Sequence, residues 1–343
     1  MNSRKHQGQR PTLEAVAELA GVGRGTVSRV VNGAPGVSAK ARAAVETAIT
    51  ELNYIPNPAA RSLVTSRTDC VALVIPESES RLAAEPYFSA VIRGVSTELA
   101  ETEMQLLLIL VRDRRELDRL TRFAAARRVD GVLLVSIHDD DPLPGLLEEM
   151  RMPTVLAGRR SPEESLSHVR SDNVGGAATA VRHLLDGGRT TIATITGPLD
   201  MDVGNSRLRG WREALAERRG TARDERLVAV SDFTEEGGRT AMRDLLDRAP
   251  GIDAVFAASD VMAAGALTEL RERGRRVPDD VAVIGFDDSV IARHTTPALT
   301  SVRQPIEAIG RSITRLLLEE IAEPTTARQQ LLLPTTLVVR DSA

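Results

Sequence analysis

The chain has 343 residues, 42% hydrophobic and 27% charged, with mean hydropathy −0.13. That is globular composition, long enough for one small and one or two larger domains, and no run of about 18 apolar residues could span a membrane. The net charge of −4 divides unevenly: residues 1–66 hold eight basic residues against four acidic ones, and the remaining chain 36 against 44. A basic head on an acidic body points to a polyanion partner for the head alone, with a merely solvated basic surface as the plainer alternative.

The opening MNSRKHQGQRPTLEAV has basic residues but no apolar stretch after them, which argues against a secretory signal. Cys70 is the one cysteine, so no internal disulfide forms and a reducing cytoplasm is the expected location. Thr12 can cap a first helix, LEAVAELA, with Leu13, Val16, Ala17 and Ala20 at helical spacing and Gly21 at its end. A second helix runs from about Arg24 to Val31 and stops at Asn32-Gly33. Ser38 caps a third, with Val45, Ala48, Ile49 and Leu52 as its apolar stripe. Three helices with a Gly-containing tight turn between the first two describe a helix-turn-helix head. Pro56 stops the third helix, yet Asn57 and Pro58 supply a fresh start signal for a two-turn helix. So short a helix is marginal alone in water and needs a partner.

From residue 70 apolar strands alternate with amphipathic segments. The runs 71–76, 105–111, 129–136 and 153–158 form one set, and 191–196, 226–230, 253–259 and 281–286 a second. A helix near 174–187 puts Val174, Ala177, Ala178, Val181, Leu184 and Leu185 on one face. Continuous apolar strands between such helices indicate parallel sheets covered on both faces. Two sets imply two similar α/β subdomains with a boundary around 171–173.

Most catalytic signatures are missing. Gly21-Val-Gly23-Arg-Gly25 follows a helix rather than a strand, so it is no dinucleotide fingerprint. No phosphate loop or GxSxG elbow occurs, and the five histidines (6, 138, 168, 183, 294) show no metal-ligand spacing. Ser259-Asp260 and Asp287-Asp288 each follow an apolar strand, where ligands bind in open parallel sheets. Helix capping for Asp260 and loop solvation for Asp288 are the alternatives.

The segment TLEAVAELAGVGRGTVSRVVNGAPGVSAKARAAVETAITELNYIPNPAARSL closely resembles the DNA-binding and hinge segment of LacI-family transcriptional repressors. The stretches VDGVLLVS, DNVGGAATAVRHLL, TITGP, Arg207–Trp211, SDVMAAGAL, VPDDVAVIGFDD and LTSVRQP resemble that family's periplasmic-binding-protein-like core. The resemblance spans about 12–340. It implies an all-α helix-turn-helix head plus an α/β core of two Rossmann-like parallel-sheet subdomains of periplasmic-binding-protein type. The implied parts are a DNA-binding domain at 1–56 and a hinge helix and linker at 57–69. An N-subdomain then takes 70–171 plus about 303–331, and a C-subdomain 172–302 plus about 332–340.

On the second helix, Arg24, Gly25, Ser28, Arg29 and Asn32 project opposite Val27 and Val31, the face that would enter the major groove. Arg24 or Arg29 could read guanine, while Ser28, Asn32, Ser38 and Lys40 suit phosphate or positioning roles. The resemblance adds Thr12, Leu13, Thr26 and Tyr54 to the DNA contacts. Gly25 stands where the family often has a base-reading side chain, and Gly23 replaces the usual hydroxyl cap, which shifts direct readout onto Arg24. The resemblance implies that Asn57, Ala60 and Leu63 lie on a hinge helix paired with its copy in the minor groove, Leu63 as the wedge.

For the effector, the resemblance puts Tyr87, Phe88, Arg207, Phe233, Ser259 and Asp287 at a cleft, with Asp260 beside them. His138 is a further candidate, a solvated loop histidine being the alternative. Rings stacking on a sugar face, with Arg and Asp bridging hydroxyls, suit a carbohydrate, though the same set could flank a purine. The stretches EPYFSAVIRGV, SIHDDDPLPGLLE and SDFTEEGGRTAM look like the actinobacterial cello-oligosaccharide-responsive branch, and two lysines against 42 arginines fit a high-GC genome. The expectation is therefore a cytoplasmic, dimeric repressor with no cofactor and no metal, not an enzyme. It would bind a pseudo-palindromic double-stranded operator and be released by cellobiose or a related oligosaccharide. A transport-type solute receptor and a purine-responsive regulator are the rivals. The strand-like LLLPTTLVVR close to residue 343 leaves no heptad tail, so a dimer rather than a tetramer is expected.

Overall fold

The computed structural model describes residues 11–55, 67–219, 224–324 and 327–343. Packing divides the chain into two units, meeting between Thr68 and Asp69.

Among the described residues the first unit has three helices, α1 (Leu13–Ala20), α2 (Arg24–Val31) and α3 (Ala39–Leu52). Thr12 accepts the Ala15 amide and Ser38 the Ala41 amide, so both expected caps satisfy otherwise orphaned N–H groups. Gly21 takes the left-handed conformation at φ +64°, which lets the chain leave α1 and start α2 three residues on. Val16, Ala17, Val27, Val30, Val45, Ala48 and Tyr54 form the core. On α2 the buried partner of Val27 is Val30 rather than Val31, which is half-buried at the core's edge.

The second unit holds two sheets, and each organises a lobe. The first contains β1 (Cys70–Ile75), β2 (Gln105–Leu110), β3 (Gly131–Val135), β4 (Thr154–Ala157), β5 (Ser167–Ser171) and, from far along the chain, β11 (Gln330–Leu333), in the order β11-β5-β4-β3-β1-β2. All its pairings are parallel. The second contains β6 (Ile192–Thr196), β7 (Val228–Val230), β8 (Ala254–Ala257), β9 (Ala282–Asp287), β10 (Thr300–Arg303) and β12 (Thr336–Val338), in the order β12-β10-β9-β8-β6-β7. Only β12 runs antiparallel to its neighbour.

Helices cover both faces, as fully apolar strands require. The first lobe has α4 (Glu79–Ala84), α5 (Pro86–Leu99), α6 (Arg114–Ala125), α7 (Leu143–Glu149) and the late α13 (Ile306–Ala322). The second has α8 (Asn173–Asp186), α9 (Asp202–Arg219), α10 (Glu235–Arg248), α11 (Asp260–Glu272) and the short α12 (Val290–His294). The chain thus crosses between lobes three times, after β5, after β10 and after β11. Arg303 lies in the second lobe's sheet and Leu332 in the first's, so the later crossings fall one or two residues from the expected 303 and 332. Hydrogen-bonded pairing of whole strands sets those limits, and no composition change marks them.

The strand from 226 begins at Val228 instead, because Glu225–Leu227 is a 3-10 turn capped by Asp224. Strands β5 and β10 carry no apolar run, yet they are buried. Their hydroxyls are satisfied inside: Ser167 donates to Glu320, Ser171 to Gln304 and Ser301 to Asp260.

Candidate functional site

The C-terminal ends of both sheets face a cavity of about 750 Å3, its open mouth included. Its floor is built where the chain crosses between lobes. Asp172 caps α8 by accepting the Gly175 amide, which sets Asn173 in the first turn, and Asn173 Oδ1 accepts Arg207 Nε at 2.9 Å. Arg207, from the second turn of α9, is only 4% exposed. It also donates to the Ala258 carbonyl, lies 3.6 Å from Asp287 and stacks 3.7 Å over the centroid of the Phe286 ring. Two nitrogens and one face of this guanidinium are thus fixed by the protein itself.

Asp287 ends β9 with φ +112°, a conformation costly for a residue with a Cβ. Gln304 donates to its carboxylate at 2.6 Å and accepts from Ser171 of the first lobe. Burial raises the Asp287 carboxyl to about 6, against the lowering pull of Arg207. Across the cavity, Pro86 starts α5, leaving Glu85 as an N-cap whose side chain makes no cap bond and instead accepts Arg81 Nε at 3.2 Å. Burial lifts Glu85 to about 7.

Three aromatic rings complete the walls. Tyr87 and Phe88 meet edge to face at 5.5 Å on the first lobe. Phe233 projects from the second, on a left-handed backbone just before the Thr234 cap of α10. The Arg81 guanidinium lies 5.3 Å from the Phe233 ring centre, so this contact joins the lobes. A side chain at Gly197 would strike the same ring. The pocket combines apolar faces with a few convergent polar groups and carboxyls of perturbed acidity, the pattern of a binding site.

Of the residues expected at an effector site, Tyr87, Phe88, Arg207, Phe233 and Asp287 line this cavity and Ser259, Asp260 and His138 do not. The Ser259 hydroxyl is spent capping α11 at the Met262 amide. Asp260 turns beneath the β9–β10 region, where it accepts from Ser301 and, at 2.6 Å, from the Ser289 amide. Burial first, and then the Asp287 charge, raise it to about 8. His138 sits at the rim, 2.7 Å from Asp200 of the other lobe.

In the head, Arg24, Gly25 and Arg29 of α2 and its C-cap Asn32 are exposed, as are Thr12, Ser38 and Lys40; Leu13, Thr26 and Ser28 are half-buried. Asn32 donates to Ser28 at 3.3 Å, and Arg24 is ion-paired to Glu14 of α1 at 3.2 Å. Neither Arg29 nor Lys40 is ion-paired to another described residue. The Tyr54 ring belongs to the head core, 8% exposed, where the chain turns after Asn53. Asn57, Ala60 and Leu63 lie outside the described residues.

The family model of bacterial regulatory proteins, lacI family, matches residues 12–57, and the periplasmic binding protein-like domain matches 181–343. The HTH-type transcriptional regulator CelR of Thermobifida fusca is 53% identical over 336 residues, covering 97% of this chain and 98% of that protein. The chain belongs to the lacI family of bacterial regulatory proteins. A solved transcriptional regulator CelR–cellobiose complex is 51% identical, with TM-score 0.78 and coverage of 97% and 100% of the two chains. The lac repressor dimer bound to operator and the anti-inducer ONPF superposes with TM-score 0.85 at 28% identity, over 97% and 99%.

As a lacI-family member the protein is a DNA-binding transcriptional regulator. No helix among the described residues is long and apolar enough to cross a membrane. Sequence reasoning missed several lining residues: Arg81, Glu85, Asn173, Gln304, Arg159 and Arg170. Asn173 and Gln304 could have been found, since each is the first polar amide after a strand at an expected crossing. Arg81 and Glu85 carry no such mark in a chain with 44 basic and 48 acidic residues.

Proposed function

We propose that the protein is a dimeric repressor that binds a pseudo-palindromic operator and is released from it by cellobiose or a closely related oligosaccharide. The observation that carries the effector class is the cavity itself. Apolar rings stand on both lobes, and Arg207, Asn173, Asp287, Gln304 and Glu85 converge between them. Sugars present apolar ring faces and arrays of hydroxyls, and this set meets both needs. The likeness to CelR and to its cellobiose complex supports the same choice.

In this reading the exposed side of α2 enters the major groove. Arg24 carries most of the base readout with Arg29 as the second candidate, while Ser28, Asn32, Ser38 and Lys40 meet phosphates or fix orientation. The segment with Asn57, Ala60 and Leu63 pairs with its copy in the minor groove, and movement of the lobes on effector binding unpairs it. The protein acts in the cytoplasm and catalyses no reaction. The test is fluorescence anisotropy on operator DNA with graded cellobiose, alongside calorimetry with cellobiose, ribose and purines. Cellobiose should bind and weaken operator binding; tight binding of a purine with none of cellobiose would overturn the effector assignment.

A further inference from the structure

One short segment of the second lobe, Leu199 to Asp202, is gripped from the first lobe at several points. The His138 Nδ1 lies 2.7 Å from Asp200 Oδ2. The Asp139 amide donates to the Asp200 carbonyl at 2.7 Å. Two residues on, Asp202 accepts from Arg159 Nε at 3.1 Å. Met201 and Asp202 line the cavity, so these contacts stand at its mouth.

The other edge of the imidazole faces a second carboxylate. Its Nε2 lies 3.9 Å from Glu77 Oε1 in the first lobe, and Glu77 is itself fixed by Ser136 and Arg81. A neutral imidazole carries one N–H, so one of its nitrogens would turn a lone pair toward an anion. Only the imidazolium offers a proton to both. Arg159 carries a permanent charge and makes its contact at any ordinary pH.

We propose that His138 and Asp200 form a proton-dependent latch across the mouth of the effector cavity, in which the imidazolium holds the lobes closed and its deprotonation loosens them. The proposal rests on the reading of the cavity as an effector site. The charged groups around the imidazole are Glu77 before α4, Arg81 on α4, Asp200 and Asp202 before and at the start of α9, and Asp139, Asp140 and Asp141 on its own loop. Acidic groups predominate, and the carboxylates of Glu77 and Asp200 lift the imidazole to about 9, against an ordinary value near 6.5. Opening the cleft removes Asp200, so the closed form binds more proton. Closure is thus favoured as pH falls, and effector affinity weakens as pH rises above neutral.

Two measurements test this on the full-length protein. In the free protein, the His138 ring proton followed by NMR should titrate well above 6.5, and Asp200→Asn should bring it down. In calorimetry from pH 6.5 to 9, cellobiose should lose up to about tenfold in affinity per pH unit at the steepest point, the limit for one linked proton. His138→Gln should remove that portion of the slope while leaving whatever Glu85 and Asp287 contribute. Arg159→Gln should weaken binding at every pH without changing the profile. An ordinary His138 titration unaltered by Asp200→Asn, or a wild-type pH profile in His138→Gln, would overturn the latch. If cellobiose binds at no pH, the effector assignment fails, and the imidazole titration alone decides the latch.

Discussion

Gln304 donates to Asp287 at 2.6 Å, so the residue that begins the crossing back to the first lobe holds the carboxylate that ends β9 in the second. Through Ser171 the same amide is tied to β5. Asp287 is therefore placed by both lobes and is the side chain best situated to report their closure on a ligand. Asp287→Ala should weaken cellobiose binding by about 10–100-fold, the loss expected for hydrogen bonds to a charged group worth about 1.5–3 kcal/mol. Operator affinity should survive, because the head is a separate packing unit. Leu63→Ala should do the reverse, keeping cellobiose binding and losing operator affinity and DNA bending. Calorimetry and operator anisotropy on both folded variants check this double dissociation.

Stability should depend on pH through the buried carboxyls. Burial raises Glu85 to about 7, well above an unfolded value near 4.3, so the folded chain holds a proton that the unfolded chain releases in between. The stabilising contribution is full below pH 4 and is lost as pH rises through 7. Asp287, raised to about 6, acts in the same direction. The melting temperature should fall between pH 5 and pH 8, and Glu85→Gln, which cannot ionise, should flatten that fall. Calorimetric melts of the two proteins at matched ionic strength make the comparison.

What the sequence displayed, and what it hid, follow from the kind of burial. Strands such as Val132–Val135 and Val283–Phe286 are apolar on both faces and announce themselves. Strands β5 and β10 are mostly buried too, but around a single Val each they carry Ser, His, Thr and Arg, with partners for the serines supplied by Glu320, Gln304 and Asp260 from distant segments. A hydrophobic pattern cannot register a polar group whose partner is 41 to 153 positions away. The same holds at the site. Aromatic residues are rare, so Tyr87, Phe88 and Phe233 stood out. Ser259 and Asp260 are equally conspicuous at the end of a strand, but capping and ligand binding favour the same residue types there, and sequence alone leaves both readings open.

The packing of α5 on α13 offers a stability test independent of function. At their crossing a Cβ on Gly94 would run into the Glu307 carbonyl, and one on Gly310 into the Val91 carbonyl, so the two backbones touch. Backbone cannot step aside as a side-chain end can. Gly94→Ala should therefore destabilise the core by about 1–3 kcal/mol or more. Gly145 in α7 has nothing within 4 Å of the added methyl, and Gly145→Ala should stabilise by about 0.5–1 kcal/mol. Urea unfolding of both variants should show opposite shifts in midpoint; equal shifts would mean that the helices do not approach this closely.

Arg24 and Glu14 are ion-paired across the first two helices of the head, with both side chains largely exposed. Base readout by Arg24 then requires the guanidinium to leave or share that partner. Arg24→Ala should weaken cognate operator binding by about 1–3 kcal/mol and relax the base preference at one position of each half-site. Lys40→Ala should weaken all sequences alike and flatten the salt dependence by about one unit of slope. Glu14→Gln supplies the third arm: releasing the guanidinium should tighten the cognate operator more than random DNA. An operator library read by anisotropy at several salt concentrations separates the three. Indistinguishable profiles for Arg24→Ala and Lys40→Ala would remove the division between base and phosphate contacts. A Glu14→Gln variant that tightens every sequence equally would mean that the pair screens the whole DNA face instead of restraining one reading residue.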